Sequence, residues 1–363
     1  MAKPFLKSVF PGLSLFAASF LLALAARKIP GFAEWYAVAI YPLFVNIVGR
    51  FLSFFPFSVV EIGLFLLIAA GLFFLFKGAL SIFQKHRQTR HFIASCGRKL
   101  LFLSGLLLFI YTLTCGINYH RTPFSTIAGF KIQKSRAEEL TALCSSLAEE
   151  LRNVSPQVTR DENGCLVLSE NAPALAAQAM ENLGNDYPCL SGYYPKPKLL
   201  LISEVLSYQH LSGVYSPFTV EANVNGDMTP YNLPATMCHE LSHLKGFMRE
   251  DEANFIAYLA CLASDDAAFR YSGLLFAYIY ASNALYEEDP QAWQRIRDTL
   301  NEGILADLAA NNAFWDRYEG KISELSGTVN DTYLKLNAQT DGIKSYGRMV
   351  DLLLAEYRKN RSR

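Results

Sequence analysis

Net charge is what this sequence most plainly lacks. Its 33 Lys and Arg residues meet 33 Asp and Glu residues, a formal balance of zero. A globally basic nucleic-acid binder is not indicated, because phosphate neutralisation needs a positive surplus, and no nucleic-acid partner is expected. Acid is also scarce locally: residues 1–117 carry eleven Lys or Arg against only Glu34 and Glu61, so the first third is +9 and the remainder −9. Beyond residue 115 there is no internal repeat and no low-complexity tract. None of the seven cysteines forms a CxxC pair, so a zinc ribbon is not expected. Five of them (Cys144, Cys165, Cys189, Cys238, Cys261) lie beyond residue 117, an odd number that cannot all pair within the chain. A bridge involving Cys144, Cys165 or Cys189 would suit an oxidising compartment, with no pair singled out.

Apolar residues are abundant: 51% of the chain is hydrophobic and 13% aromatic, more than a soluble protein of 363 residues needs. Three runs read as membrane spans, over residues 9–26, 59–76 and 100–115. No small-x-small cleavage site follows the first, which is therefore read as an uncleaved anchor. Residues 34–58 are apolar too, but they contain Pro42, Arg50 and Pro56 and abut the next run without a loop. The basic residues Lys77, Lys85, Arg87, Arg90, Arg98 and Lys99 place the segment between the second and third spans in the cytoplasm, as Lys3 and Lys7 place the N-terminus. An even number of crossings must separate those two segments, so residues 34–58 are expected to lie in the interface or re-enter. The expectation is a multi-pass protein of the cell membrane with a membrane domain over 1–117 and an extracytoplasmic domain over 118–363.

Within that domain, "SRAEELTALCSSLAEELRN" has leucines at helical spacing behind a Ser135 cap, and a second helix is expected over residues 172–183. "PKLLLIS" reads as a buried strand, and "TVEANVN" as a half-exposed one because apolar and polar residues alternate. From Pro234 onward the pattern is helical, with breaks expected at Gly246, Asp289-Pro290 and residues 320–330. The fold class is thus membrane-anchored α+β, three N-terminal transmembrane helices followed by a mostly helical domain with a small sheet.

Histidine is rare, with six in the whole chain, yet two of them enclose a glutamate in "HELSH". On a helix His239 and His243 share a face, and Glu240 sits one residue round from the first. Two nitrogen donors at that spacing, with a carboxylate able to hold a water, suit Zn2+ as the cofactor. A third ligand is needed, and the nearby candidates are Glu250, Asp251 and Glu252. Gly246 can end the first helix in the left-handed conformation, and the four residues 247–250 reach about 13 Å, enough to return to the metal. Glu250 stands in an ExxxN relation to Asn254, which one turn later can orient a ligand histidine. Glu250 is therefore favoured, with Glu252 the alternative third ligand or otherwise a salt-bridge or capping residue. "TVEANVN" is a candidate peptide-binding edge. Arg270, Tyr271, Ser272, Asn283 and Tyr286 are candidates for stabilising an oxyanion, whereas His210 reads as a loop residue.

"HELSH" followed by "EDEAN" resembles the gluzincin pattern, HExxH with ExxxD or ExxxN on the next helix. A closer resemblance is to a bacterial membrane family catalogued as a domain of unknown function, carried by "YPLF", "FPFSVVEI", "GVYSPFTVEANVN", "LPATMCHELSHLKGFMREDEANFIAYL" and "FRYSGLLFAYIYASNAL". The resemblance implies a zincin-like metallopeptidase domain with His239, His243 and Glu250 as zinc ligands and Glu240 as general base or acid. Only six residues separate His243 from Glu250, a departure from better-studied gluzincins, so their substrate subsites do not transfer. The function expected is zinc-dependent hydrolysis of peptide bonds in a peptide or protein substrate outside the cytoplasm, with the lipid bilayer as the other partner. The alternative is a catalytically inactive zinc-binding envelope interaction module. An intramembrane protease is disfavoured, since "HELSH" lies some 120 residues beyond the last span in a polar context.

Overall fold

The computed structural model describes residues 2–84, 86–133, 136–337, 339, 342 and 348–361. The apolar N-terminal runs become long helices: α1 (Ala2–Lys28), α5 (Val59–Gln84) and α6 (His86–Tyr111). Close approach of α1 to α6 depends on two glycines, since a Cβ on Gly105 would stand 2.8 Å from the Gly12 carbonyl oxygen. Between α1 and α5 the chain forms a broken helix: α2 (Phe32–Ala39), α3 (Tyr41–Phe44), a π-turn over Val45–Gly49, and α4 (Arg50–Leu52). Four helical stretches among the described residues are therefore long and apolar enough to cross a membrane: Val9–Lys28, Phe32–Leu52, Val59–Leu80 and Ile93–His120.

The remainder is mostly helical: α7 (Phe124–Ile127), α8 (Ala137–Val154), α9 (Ala172–Asp186), α10 (Ser203–Tyr208), α11 (Asn232–Leu244), α12 (Glu250–Leu262), α13 (Ala267–Glu288), α14 (Pro290–Arg297), α15 (Glu302–Asp316), α16 (Lys321–Leu336) and α17 (Met349–Arg361). The leucine face of α8 is buried as its spacing predicts, while the expected Ser135 cap lies outside the described residues. Gly246 adopts φ 83° and ends α11. The expected break over 320–330 falls instead just before α16: Gly320 precedes its first turn, and residues 321–330 continue as helix.

Three short strands form one sheet in the order β1 (Lys198–Leu199), β3 (Glu221–Val224), β2 (Gly213–Ser216), with β3 parallel to β1 and antiparallel to β2. The half-exposed reading of "TVEANVN" is corrected here, because all four residues of β3 are buried. Its polar side chains have protein partners in place of water: Asn223 donates to the Val214 carbonyl (3.3 Å), and Glu221 pairs with Lys198. No cysteine pair forms; Cys144, Cys165 and Cys189 are all free thiols.

Both acids of the first third tie the N-terminal apolar helices to the rest of the chain. The Glu221 carboxylate accepts the Val59 and Val60 amides (3.1 and 3.0 Å) at the head of α5. In return Glu61 accepts the amides of Leu201 (3.0 Å) and Ile202 (2.9 Å). Glu34 accepts from Arg121 (3.2 Å) and the Thr122 amide (2.9 Å). One buried cluster then runs from Ala26, Tyr36, Tyr41 and Cys115 to Tyr215, Leu244 and Met248. The C-terminal ends of α1 and α6 thus pack with Leu244 of α11, and the head of α5 is held by Glu221 of β3.

Candidate metal centre

Helix α11 presents His239 and His243 one turn apart, with ring centroids 4.6 Å apart. The loop over residues 245–249 turns back through Gly246, and α12 starts at Glu250, so a carboxylate arrives opposite the two imidazoles. Glu250 Oε2 lies 3.2 Å from His239 Nε2 and 3.6 Å from His243 Nε2. Donor atoms of the three residues fall within 4.8 Å of one another. Zinc bonds of ~2.0–2.2 Å in tetrahedral geometry require ligand atoms about 3.4 Å apart, and these separations match.

Two further observations test the fit. The Phe247 carbonyl lies 2.8 Å from His243 Nδ1, which fixes the proton on that nitrogen in the neutral ring and leaves the Nε2 lone pair facing Glu250. Glu240 is buried, with Oε2 lacking any hydrogen-bond partner. A buried carboxylate oxygen without a donor is costly, and a bound water beside a metal would satisfy it.

The electrostatics show the same demand for positive charge. Burial alone would push the Glu250 carboxyl up, but His243 and His239 outweigh it and hold the group well below its usual range. For His243, burial would lower the pKa, yet the Glu250 carboxylate raises it to about 9. Burial pushes Glu240 up, opposed by the two histidines. In the metal-free chain a proton thus balances a carboxylate that a cation would otherwise balance.

Glu252, the alternative ligand, points elsewhere. Its neighbours are the Phe124 and Ser125 amides at the start of α7 and the charges of Arg249 and Asp251; burial raises its pKa to about 7. It serves as a cap for that short helix, and helical rotation separates it from Glu250. Asn254 differs from expectation as well. Its amide donates to Tyr280 Oη (3.3 Å), while His243 takes its orientation from Phe247, because the loop folds back over that ring.

The centre opens into a cavity of about 650 Å³ walled by β2, α13, α16 and the end of α6. The candidate oxyanion groups lie elsewhere: Tyr271 donates to Asp307 (2.7 Å), Ser272 to the Tyr231 carbonyl, and Arg270 to the carbonyls of Ser264 and Asp265. Asn283 and Tyr286 are exposed. Tyr280 and His210 line the cavity instead. Tyr280 was not singled out in the sequence, although it stands on the same helix as those candidates. Since Asn254 donates to its oxygen, the Tyr280 hydroxyl hydrogen is available to the cavity.

The expected peptide edge also moves by one strand. β3 is paired on both sides, so it offers no free edge; β1 and β2 are the edge strands, and of the two β2 lines the cavity through Gly213, Val214 and Tyr215. A side chain at Gly213 would displace Glu240, because a Cβ would stand 2.5 Å from Glu240 Oε1. The sequence distance between "HELSH" and the last span is likewise misleading. Tyr111, Cys115 and Tyr119, from the end of that span, line the same cavity.

The chain belongs to the family described as "Protein of unknown function (DUF3810)", whose model matches residues 36–354. No curated protein and no solved structure matches it.

Proposed function

We propose that the chain is a membrane-anchored zinc metallopeptidase that hydrolyses peptide bonds outside the cytoplasm. The observation that carries this reading is the unpartnered Glu240 Oε2 beside three converging donors. Ligation alone has no use for a fourth, buried carboxylate, whereas proton transfer does. His239, His243 and Glu250 would hold the ion, which when bound supplies Lewis-acid polarisation of a water and of the scissile carbonyl. Glu240 takes the water's proton at Oε2 and returns it to the leaving amine. The Tyr280 hydroxyl donates toward the developing oxyanion. An extended peptide adds to the free edge of β2, so that its backbone runs past Glu240.

The proposed topology has three crossings. A bilayer core is about 30 Å thick. The end of α1 and the head of α5 meet one domain on one side, so Phe32–Leu52 returns to the side from which it starts. Its Tyr36, Tyr41 and Val45 are buried in protein, as an interfacial or re-entrant segment requires. The basic residues between Lys77 and Lys99 then face the cytoplasm and the centre faces away.

Glu240→Gln in the full chain tests the reading. Zinc content should stay at the unsubstituted level while cleavage of a peptide library falls by a factor of ~10² to 10⁴. Undiminished cleavage would remove Glu240 from the mechanism. Rescue of a deletion phenotype by Glu240→Gln would favour the inactive zinc-binding module.

A further inference from the structure

Helix α16 buries one residue, Leu334, and exposes a row of large apolar side chains: Ile322 (57%), Leu325 (66%), Val329 (61%) and Leu336 (71%). At 100° per residue these four, with Tyr333, fall within about 80° of arc. Lys321, Glu324, Thr328 and Lys335 are exposed on the adjoining arc. A helix with one apolar and one charged open face is built for a boundary between water and hydrocarbon.

The tethers of α16 say which boundary. At its C-terminal end, Tyr119 Oη donates to Tyr333 Oη (3.2 Å), and Tyr111 Oη donates to Asn337 (2.7 Å). Both tyrosines belong to the candidate span Ile93–His120. Three residues before the first turn of α16, Tyr318 stacks edge-on against Tyr208 of α10, with centroids 5.0 Å apart. α10 follows directly on Leu201 and Ile202, whose amides are held by Glu61 in the first turn of α5. The C-terminal end of α16 is therefore bonded to one candidate span, and the residue three before its first turn packs on the segment that the head of a second one holds. The sixteen residues of α16 cover about 24 Å between those contacts, so the helix runs along the membrane face. Leu201 (69%), Ile202 and Val205 extend the open apolar surface at the α5 head.

We infer that α16 and the α10 segment lie in the headgroup–acyl boundary of the leaflet on the side of the centre, so that the cavity opens at the bilayer surface and takes polypeptide anchored in that membrane. Asn330 and Tyr333 connect the two features, since they sit on α16 and line the cavity. The substrate class, a peptide bond close to where a membrane-held chain leaves the lipid, rests on the peptidase reading above; the lipid contact of α16 does not.

The test uses the full chain in phosphatidylcholine vesicles, with a fluorophore on Leu325→Cys or Thr328→Cys and the labelled unsubstituted chain as background. Nitroxide on a shallow acyl carbon should quench the Leu325→Cys label, and iodide should quench the Thr328→Cys label. Equal iodide quenching of both would make α16 a solvent helix. Shielding of the Leu325→Cys label from both quenchers would mean that a second protein surface covers it. Either result overturns the inference. In the same vesicles, Leu325→Asp with Val329→Asp should slow cleavage of an acyl-anchored peptide about tenfold or more and change that of the unanchored peptide by less than about twofold. Equal loss on both peptides would sink membrane delivery. No cleavage of either by the unsubstituted chain would sink the peptidase reading and the substrate class with it, while the quenching result decides the lipid contact separately.

Discussion

Replacing Glu250 and Glu252 in turn separates metal ligation from structural capping, because two carboxylates of one helical turn have opposite surroundings. Glu250 stands 3.2 and 3.6 Å from the two imidazole Nε2 atoms, and both histidines hold it ionised. Glu252 faces the Phe124 and Ser125 amides and is pushed by burial to about 7. Four-ligand zinc sites hold their ion by an apparent ~10–16 kcal/mol, so one ligand of such a set is worth ~3 kcal/mol, or a Kd weakened on the order of 10²-fold. Glu250→Ala should accordingly emerge from dialysis against a weak chelator with zinc near background. Glu252→Ala instead leaves two amides without their acceptor, a cost of ~1–3 kcal/mol. Its zinc content should match the unsubstituted chain, while its thermal midpoint in detergent falls by a few degrees. Metal analysis and a melting curve on each purified variant decide the matter. Zinc lost from Glu252→Ala and kept by Glu250→Ala would refute the assignment.

Gly213→Ala should impair turnover without touching a ligand. Its Cβ would meet Glu240 Oε1 at 2.5 Å and Cδ at 2.9 Å, and the carboxylate, enclosed in the wall of the cavity, must move. Zinc content is expected to hold while kcat drops by ~10² or more, the scale of a displaced base; unchanged kcat would show that Glu240 needs no such placement. Zinc uptake should also release a proton. His243 is raised to about 9 in the metal-free chain, so near pH 7 it is protonated and its proton competes with the ion. Affinity should then rise about tenfold per pH unit up to about 9 and level off above it. Calorimetry in buffers of different protonation enthalpy should count about one proton released, and none would mean that His243 is already neutral in the metal-free chain.

Local features of the site were legible because helical spacing is local. His239 and His243 four apart, Gly246 in the left-handed conformation, and Glu250 at the start of the next helix all follow from residue types at short range. Whatever crosses long stretches of chain was not. Gly213 and Tyr280 reach the centre from a strand and a helix whose positions no periodicity reveals, and "TVEANVN" alternates like a surface strand although its polar residues face buried partners. Glu34 and Glu61 entered the sequence reading only as a charge count, whereas in the fold they take Arg121 and three backbone amides. A carboxylate in an apolar run is costly to bury without donors, which is the sequence-level sign that each had a partner to find.

The N-terminal apolar segments do more than flank the centre, because they grip the end of the helix that carries it. Tyr41, from the broken helix, donates to the Leu244 carbonyl (3.0 Å), and Arg121 donates to the Lys245 carbonyl (2.9 Å). Both bonds satisfy carbonyls that α11 leaves open at its C-terminus, where a guanidinium is also favoured by the helix dipole. Arg121 is itself fixed by Glu34 and lies 3.9 Å from the centroid of the Phe247 ring. Phe247 in turn provides the carbonyl that orients His243. A line of contacts therefore runs from an acid in the second apolar stretch, through one buried arginine, to the nitrogen of a candidate ligand. That line explains why apolar helices and the "HELSH" helix share one buried core: the ring that must hold its angle is braced by the N-terminal apolar helices.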